Sequence, residues 1–142
     1  MKNYLKNIKK EDFFSKANLH IHSSCSDGRL KPEEIIAEAK KDGLELISIT
    51  DHNTVEAYKE TAVKAADDLK IITGIEFDCW HDLNMVHILG YDIDINDDGI
   101  NKLCSNDSLG KSFDFVRFFN RRKAADVIKA IKDADGIAVL AH

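Results

Sequence analysis

The stretch ANLHIHSSCSDGRLKPEEIIAEAKKDGLELISITDHN, residues 17–53, contains the pattern that decides the fold. Residues 17–23 predict a strand, which a polar loop follows. Residues 31–42 predict a helix, because a proline and two glutamates suit its first turn and Gly43 suits the position after its last residue. Residues 44–51 form a mostly apolar run, which is typical of a strand covered on both faces. This order of strand, helix and strand predicts a βα unit and an α/β fold.

The rest of the chain continues the alternation of helices and strands. The sequence predicts a helix over 54–69, strands over 71–77 and 85–93, a helix over 113–133 and a last strand over 137–141. We therefore expect a polar leader over residues 1–16 and one α/β domain with a largely parallel sheet over residues 17–142. A length of 142 residues suits one domain rather than two.

Composition and charge exclude several classes of function. The chain has 20 Lys and Arg against 25 Asp and Glu, and its net charge of −5 argues against duplex nucleic acid as a partner. No apolar run is long enough for a transmembrane helix, and the charged N-terminus lacks the apolar core of a secretory signal, so no membrane partner is expected. Three cysteines without a CxxC spacing argue against a disulfide framework and favour a reducing cytoplasm.

Histidines and one glutamate lie in or at the ends of the predicted strands. His20 and His22 are two residues apart on the first strand, so both side chains point to the same face. Such a pair can present two nitrogen ligands to a metal, although two partly exposed histidines on a sheet face are the alternative. His52 follows the second strand directly, and Glu76 lies near the end of the third. An ionisable side chain in an apolar run requires a partner or a metal.

Three further residues are ambiguous when each is taken alone. Asp27 precedes a glycine and suits a turn as well as a metal site, and His87 lies within an apolar strand, where a core histidine is usual. His142 ends the last predicted strand. Taken together, these side chains gather at the strand ends where α/β folds bind ligands. Imidazoles with carboxylates suit Zn, Mn or Fe, and their number exceeds one tetrahedral site, which indicates more than one ion.

Five segments carry a resemblance to a known family. NLHIHSSCSDG at 18–28, ITDHN at 49–53, TGIEF at 73–77, VHILGY at 86–91 and AVLAH at 138–142 resemble, in order, motifs of the PHP (polymerase and histidinol phosphatase) superfamily. The residue pattern of the first segment is most similar to that of the small bacterial branch of metal-dependent phosphoesterases in this family. The resemblance covers the chain from about residue 17 to its last residue.

The resemblance implies a fold, a metal site and a reaction. The fold is a distorted (βα)7 TIM-like barrel, of which this chain is expected to be the N-terminal portion, since no Asp-x-His motif follows His142. The implied cofactors are two to three divalent ions (Mn, Zn or Fe), and the implied ligands are His20, His22, Asp27, His52, Glu76, His87 and His142, of which all but His142 are also expected to be catalytic. The implied reaction is hydrolysis of a phosphate ester, in a nucleotide or short oligonucleotide, by a metal-bound hydroxide.

Other interpretations remain open at this stage. A catalytically incomplete PHP fragment could serve as a metal-binding or partner-binding module, and its open barrel edge is a candidate surface for self-association. Metal-dependent deamination or amide hydrolysis on a similar barrel is a third interpretation. Arg121 and Arg122 are candidate contacts for substrate phosphate, although the sequence favours a solvated helix face as the explanation of these two arginines.

Overall fold

The computed structural model describes residues 11, 15–59, 69–104 and 122–141. These residues form six strands and three α-helices, and the predicted α/β class is confirmed. The strands are β1 Ala17–Ile21, β2 Leu46–Ile49, β3 Lys70–Ile71, β4 Gly74–His81, β5 Asn84–Tyr91 and β6 Ile137–Leu140. The helices are α1 Pro32–Lys41, α2 Asp98–Leu103 and α3 Ala124–Asp133, and a single 3-10 turn covers Glu56–Tyr58.

The strands form two three-stranded sheets that meet below the histidines. Strands β1, β2 and β3 are parallel, whereas β4, β5 and β6 are antiparallel. The two sheets are joined where His52 pairs with Glu76 in a parallel bridge. There the Asn53 amide donates to the Glu76 carbonyl at 2.8 Å, and the Glu76 amide donates to the Asp51 carbonyl at 3.2 Å. Within the described residues the sheets do not close into a barrel.

The prediction of a largely parallel sheet is wrong for the second half of the fold. Strands β4 and β5 are joined by the two residues Asp82 and Leu83, between the paired residues His81 and Asn84. A connection this short permits only an antiparallel pair, because a parallel pair needs a crossover of a dozen or more residues. Strand β4 also runs on to His81, so Glu76 is its third residue rather than lying near its end.

Two predicted helices differ from the structure in their extent. The described part of the helix predicted over 54–69 is only the 3-10 turn, and residues 60–68 lie outside the described part of the chain. The helix predicted over 113–133 begins at Ala124, and its predicted part up to residue 121 also lies outside. None of the helices in the described ranges combines the length and apolarity that crossing a bilayer requires.

Strand β2 is the centre of the core. All four of its residues are buried, as expected for a strand covered on both faces. Tyr58 fixes the strands around it, because its hydroxyl donates to the Ile49 carbonyl at 2.6 Å and accepts from the amides of Ile49 at 3.0 Å and Gly74 at 2.9 Å. The Tyr91 hydroxyl ties the second sheet to the first by donating to the Leu19 carbonyl at 2.9 Å.

Candidate metal centre

Two histidines of the first sheet converge on one carboxylate oxygen of the second sheet. His20 and His22 project from the same face of the chain at the end of β1, as the spacing predicts. Their Nε2 atoms lie 3.1 Å apart, and they lie 3.1 Å and 2.9 Å, respectively, from Oε2 of Glu76. This spacing suits two nitrogen ligands and one oxygen ligand around a single ion, since metal–nitrogen distances are about 2.0–2.1 Å.

The loop after β1 delivers Asp27 to the other side of His22. Oδ1 of Asp27 lies 2.7 Å from Nδ1 of His22. The buried Asp51 carboxylate holds this loop by accepting from the Ser23 amide at 2.7 Å and from the hydroxyls of Ser23 and Ser26 at 2.6 Å each. Gly28 packs directly against the His22 carbonyl, and a larger residue would not fit there, because its Cβ would lie 2.0 Å from the carbonyl oxygen.

His52 and His87 complete the cluster. Nε2 of His52 lies 3.6 Å from Oε2 of Glu76 and 3.7 Å from Oδ2 of Asp27. Nδ1 of His87 lies 2.9 Å from Oε1 of Glu76. His87 reaches the site because β5 returns antiparallel to β4 and pairs His87 with Asp78, two residues beyond Glu76. It therefore arrives from within β5, in agreement with its predicted position inside an apolar strand, although the site residues as a group were expected at strand ends.

The cluster contains three overlapping groups of donor atoms. The atoms of each group lie within 4.8 Å of one another, and the groups are His20, His22 and Glu76; His22, Asp27 and His52; and His52, Glu76 and His87. Each group shares members with the others, so the donors form one continuous cluster. Nitrogen donors with carboxylate oxygens fit Zn, Mn or Fe. Among the described residues, the structure thus brings together six of the predicted site residues.

The remaining predicted site residues are not part of this described cluster. His142 and Arg121 lie outside the described residues. Arg122 precedes α3, and its Nε donates to the Leu103 carbonyl at 2.7 Å, while its own carbonyl accepts from the Trp80 amide at 2.7 Å. The substrate-binding role of both arginines stays a prediction.

The electrostatics of the cluster favour positive charge beside its two carboxylates, Glu76 and Asp27. Burial opposes ionisation of Glu76, but hydrogen bonds from His22 and His20 outweigh it and lower its pKa to about 2. The hydrogen bond to Glu76 raises the pKa of His22 to about 9 against the effect of burial, and Asp27 adds to the rise. Burial likewise opposes ionisation of Asp27, but the hydrogen bond from His22 and the charge of His52 lower its pKa. A divalent cation can replace the proton that His22 holds between two carboxylates.

Sequence reasoning missed Asp78, a buried carboxylate next to the cluster. Its Oδ1 lies 2.9 Å from Nδ1 of His52 and 3.5 Å from Nε2 of His87. The available signal was its spacing from Glu76, because residues two apart on a strand share a face. Asn53, taken alone, suits a helix start, but in the structure its side chain binds Asp78 instead.

Comparisons with known sequences match the chain to one family model and to several curated relatives. The family model described as PHP domain matches residues 18–137. The 5′-3′ exoribonuclease of Haemophilus influenzae is 32% identical over 80 residues, which cover 56% of this chain and 29% of that protein. The 3′,5′-nucleoside bisphosphate phosphatase of Chromobacterium violaceum is 36% identical over 78 residues, covering 54% of this chain and 27% of that protein. The matches thus span less than a third of these relatives.

Two solved structures have a similar fold. An amidohydrolase from Chromobacterium violaceum, with bound sulfate, superposes with a TM-score of 0.74 at 21% identity, over 90% of this chain and 67% of that one. A candidate metal-dependent phosphoesterase from Bifidobacterium adolescentis superposes with a TM-score of 0.72 at 19% identity, over the same shares of the two chains. At these identities the likeness shows the fold alone.

Proposed function

The chain belongs to the PHP family, and from this premise we propose that it carries the metal site of a phosphoesterase that hydrolyses a phosphate ester. The observation that carries the proposal is the convergence of four imidazoles and Asp27 around the buried Glu76. The relatives named as a phosphatase and an exoribonuclease support it, since both names denote enzymes that cleave phosphate esters.

The proposed cofactors are two to three divalent ions, Mn, Zn or Fe. The residues that would hold them are His20, His22, Asp27, His52, Glu76 and His87, with His142 as a proposed seventh ligand. Bound ions of this kind lower the pKa of water to near neutrality and offset the negative charge of phosphate oxygens. The overlap of the three donor groups supports more than one ion, because Glu76, His22 and His52 each belong to two groups.

The exposure of the donors defines the side from which a substrate would approach. The Glu76 side chain is 1% exposed, whereas those of His20 and Asp27 are 38% and 60% exposed. Glu76 therefore forms the floor of the site, and the exposed pair forms its solvent side. We propose that the phosphate group enters between His20 and Asp27. Glu76 stays ionised there, because its neighbouring imidazoles stabilise the carboxylate.

We propose a nucleotide or a short oligonucleotide as the substrate. The support comes from the relatives, whose names specify a nucleoside bisphosphate and RNA. We also propose that residues 17–142 form one domain, behind a leader over 1–16, and contribute to a distorted (βα)7 barrel. Two structures of which the chain covers 67% support an architecture larger than the described strands.

A metal-binding or partner-binding module without catalysis is the second candidate. The observation that favours it is the second sheet, whose outer strand β6 has exposed apolar side chains at Val139 and Leu140. A strand at a sheet edge can pair with another chain, including a second copy.

Hydrolysis by the purified full chain separates the two candidates. The assay measures Mn²⁺-supported phosphate release from a 3′,5′-nucleoside bisphosphate and from an aryl phosphate, with His20→Ala as the inactive variant. His81→Ala is the matched control, because His81 is 75% exposed at the tip of the β4–β5 hairpin. We expect turnover in the wild type and in His81→Ala but not in His20→Ala. Metal binding without turnover on either substrate supports the non-catalytic module instead.

A further inference from the structure

A buried carboxylate lies behind two of the histidines. Asp78 is 6% exposed and lies two residues after Glu76 on β4, so both side chains project from the same face of the strand. Its Oδ1 lies 2.9 Å from Nδ1 of His52 and 3.5 Å from Nε2 of His87. The 2.9 Å contact does not meet hydrogen-bond geometry, so Nδ1 of His52 and Oδ1 of Asp78 are two buried polar atoms held side by side.

Each of these two histidines uses its other nitrogen toward the donor cluster. Nε2 of His52 faces Glu76 and Asp27, whereas its Nδ1 faces Asp78. His87 is reversed, with Nδ1 on Glu76 and Nε2 toward Asp78. A carboxylate on the outer nitrogen of a metal-binding imidazole fixes its tautomer and orientation and raises its basicity. Asp78 stands in that position for both rings.

Asn53 holds Asp78 in place by two hydrogen bonds, one to its side chain and one from its backbone amide. The Asn53 side-chain amide donates to Oδ2 of Asp78 at 2.7 Å, and the Asp78 backbone amide donates to Oδ1 of Asn53 at 3.1 Å. Asn53 adopts a left-handed backbone with φ of 54°, a conformation that asparagine tolerates better than most residues. Since Asn53 directly follows His52, the pair of bonds ties the backbone of one histidine to the carboxylate behind it.

We propose that Asp78, held by Asn53, is a positioning residue that orients His52 and His87 toward the metal site. This inference rests on the proposed metal-dependent function. The Arg122 guanidinium also lies within electrostatic range of Asp78 and contributes to its setting. A purely structural role through Arg122 would change stability but not metal affinity, and this difference can be measured.

The test compares divalent metal affinity between variants of the full chain. Asp78→Asn keeps the size of the side chain and an oxygen that can accept from Asn53, but it removes the charge. Asp82→Asn is the matched control, because Asp82 is 86% exposed in the hairpin turn. Zn²⁺ and Mn²⁺ dissociation constants are measured by competition with a chelating dye, and the visible spectrum of bound Co²⁺ reports the ligand geometry.

We expect Asp78→Asn to bind Zn²⁺ about 10–100-fold more weakly than the wild type and to change the Co²⁺ spectrum. Asp82→Asn should change neither, and Asn53→Ala should weaken binding in the same direction but less. Wild-type affinity in folded Asp78→Asn would overturn the inference. Should Asp78→Asn not fold, wild-type affinity in Asn53→Ala would overturn it instead. A wild-type chain that binds no divalent metal would refute the proposed function itself, which is a different outcome.

Discussion

Replacement of Asp51 tests how the loop that carries Asp27 is held. The Asp51 carboxylate is 1% exposed and accepts three hydrogen bonds, from the Ser23 amide and from the hydroxyls of Ser23 and Ser26. Asp51→Asn preserves the shape, but it removes the negative charge from all three bonds and replaces one of the two acceptor oxygens by an amide nitrogen, which only donates. Hydrogen bonds to charged groups contribute about 1.5–3 kcal/mol and neutral ones about 0.5–1.5 kcal/mol. Each bond is then weaker by about 1–1.5 kcal/mol, and the loss summed over three bonds is roughly 3–4.5 kcal/mol.

The assay has two readouts, because the loop contributes to both stability and metal binding. Urea unfolding in the presence of chelator measures the free energy of unfolding, and chelator competition measures Zn²⁺ affinity. We expect Asp51→Asn to lower both. Asp27→Asn should lower metal affinity with a much smaller effect on stability, because the Asp27 side chain is 60% exposed.

The reasoning would be refuted by either of two results. One is an unfolding free energy for Asp51→Asn within about 0.5 kcal/mol of the wild type, as for an ordinary surface substitution. The other is a loss of stability with unchanged Zn²⁺ affinity, which would show that the loop does not depend on Asp51 to place Asp27.

Three further predictions concern the same strands and loop. Gly28→Ala should lower the free energy of unfolding by about 1–3 kcal/mol and weaken Zn²⁺ binding, because the added Cβ would lie 2.0 Å from a backbone oxygen. Urea unfolding and chelator competition measure the two effects. Tyr58→Phe should lower the free energy of unfolding by about 2–4 kcal/mol, because it leaves two buried amides without their acceptor. Tyr91→Phe should lower it by only about 1 kcal/mol, and equal losses in the two variants would contradict this. In chelator, thermal unfolding should show stability falling as pH rises from 6.5 through about 9, because protonated His22 stabilises the folded chain only below that pKa; a flat profile would contradict it.

Local patterns were sufficient to predict the first half of the fold. The proline and glutamates at the start of α1, and the apolar run of β2, act through near neighbours in the chain, so their structure follows from their sequence. The side chains of His20 and His22 share a face for the same reason. The strand position of Glu76 was predicted less well, because β4 continues through Asp78 to His81 without a turn signal.

The remaining features depend on contacts between distant parts of the chain. The β4–β5 hairpin turns on Asp82 and Leu83, which lack the Asn-Gly or Asp-Gly signal of a two-residue hairpin. Asn53 is followed three residues later by Glu56, the spacing of a capping box, and the sequence does not reveal that its partner is Asp78. The antiparallel register then places Asp78 opposite His87, and no spacing along the sequence specifies that contact.

The metal content of the full chain, purified without chelator and measured by elemental analysis, tests the central claim most directly. The account predicts more than one divalent ion per wild-type chain, a marked loss in Glu76→Gln, and unchanged content in the exposed control His81→Ala. One ion or fewer in the wild type, or equal content in the wild type and Glu76→Gln, would contradict it.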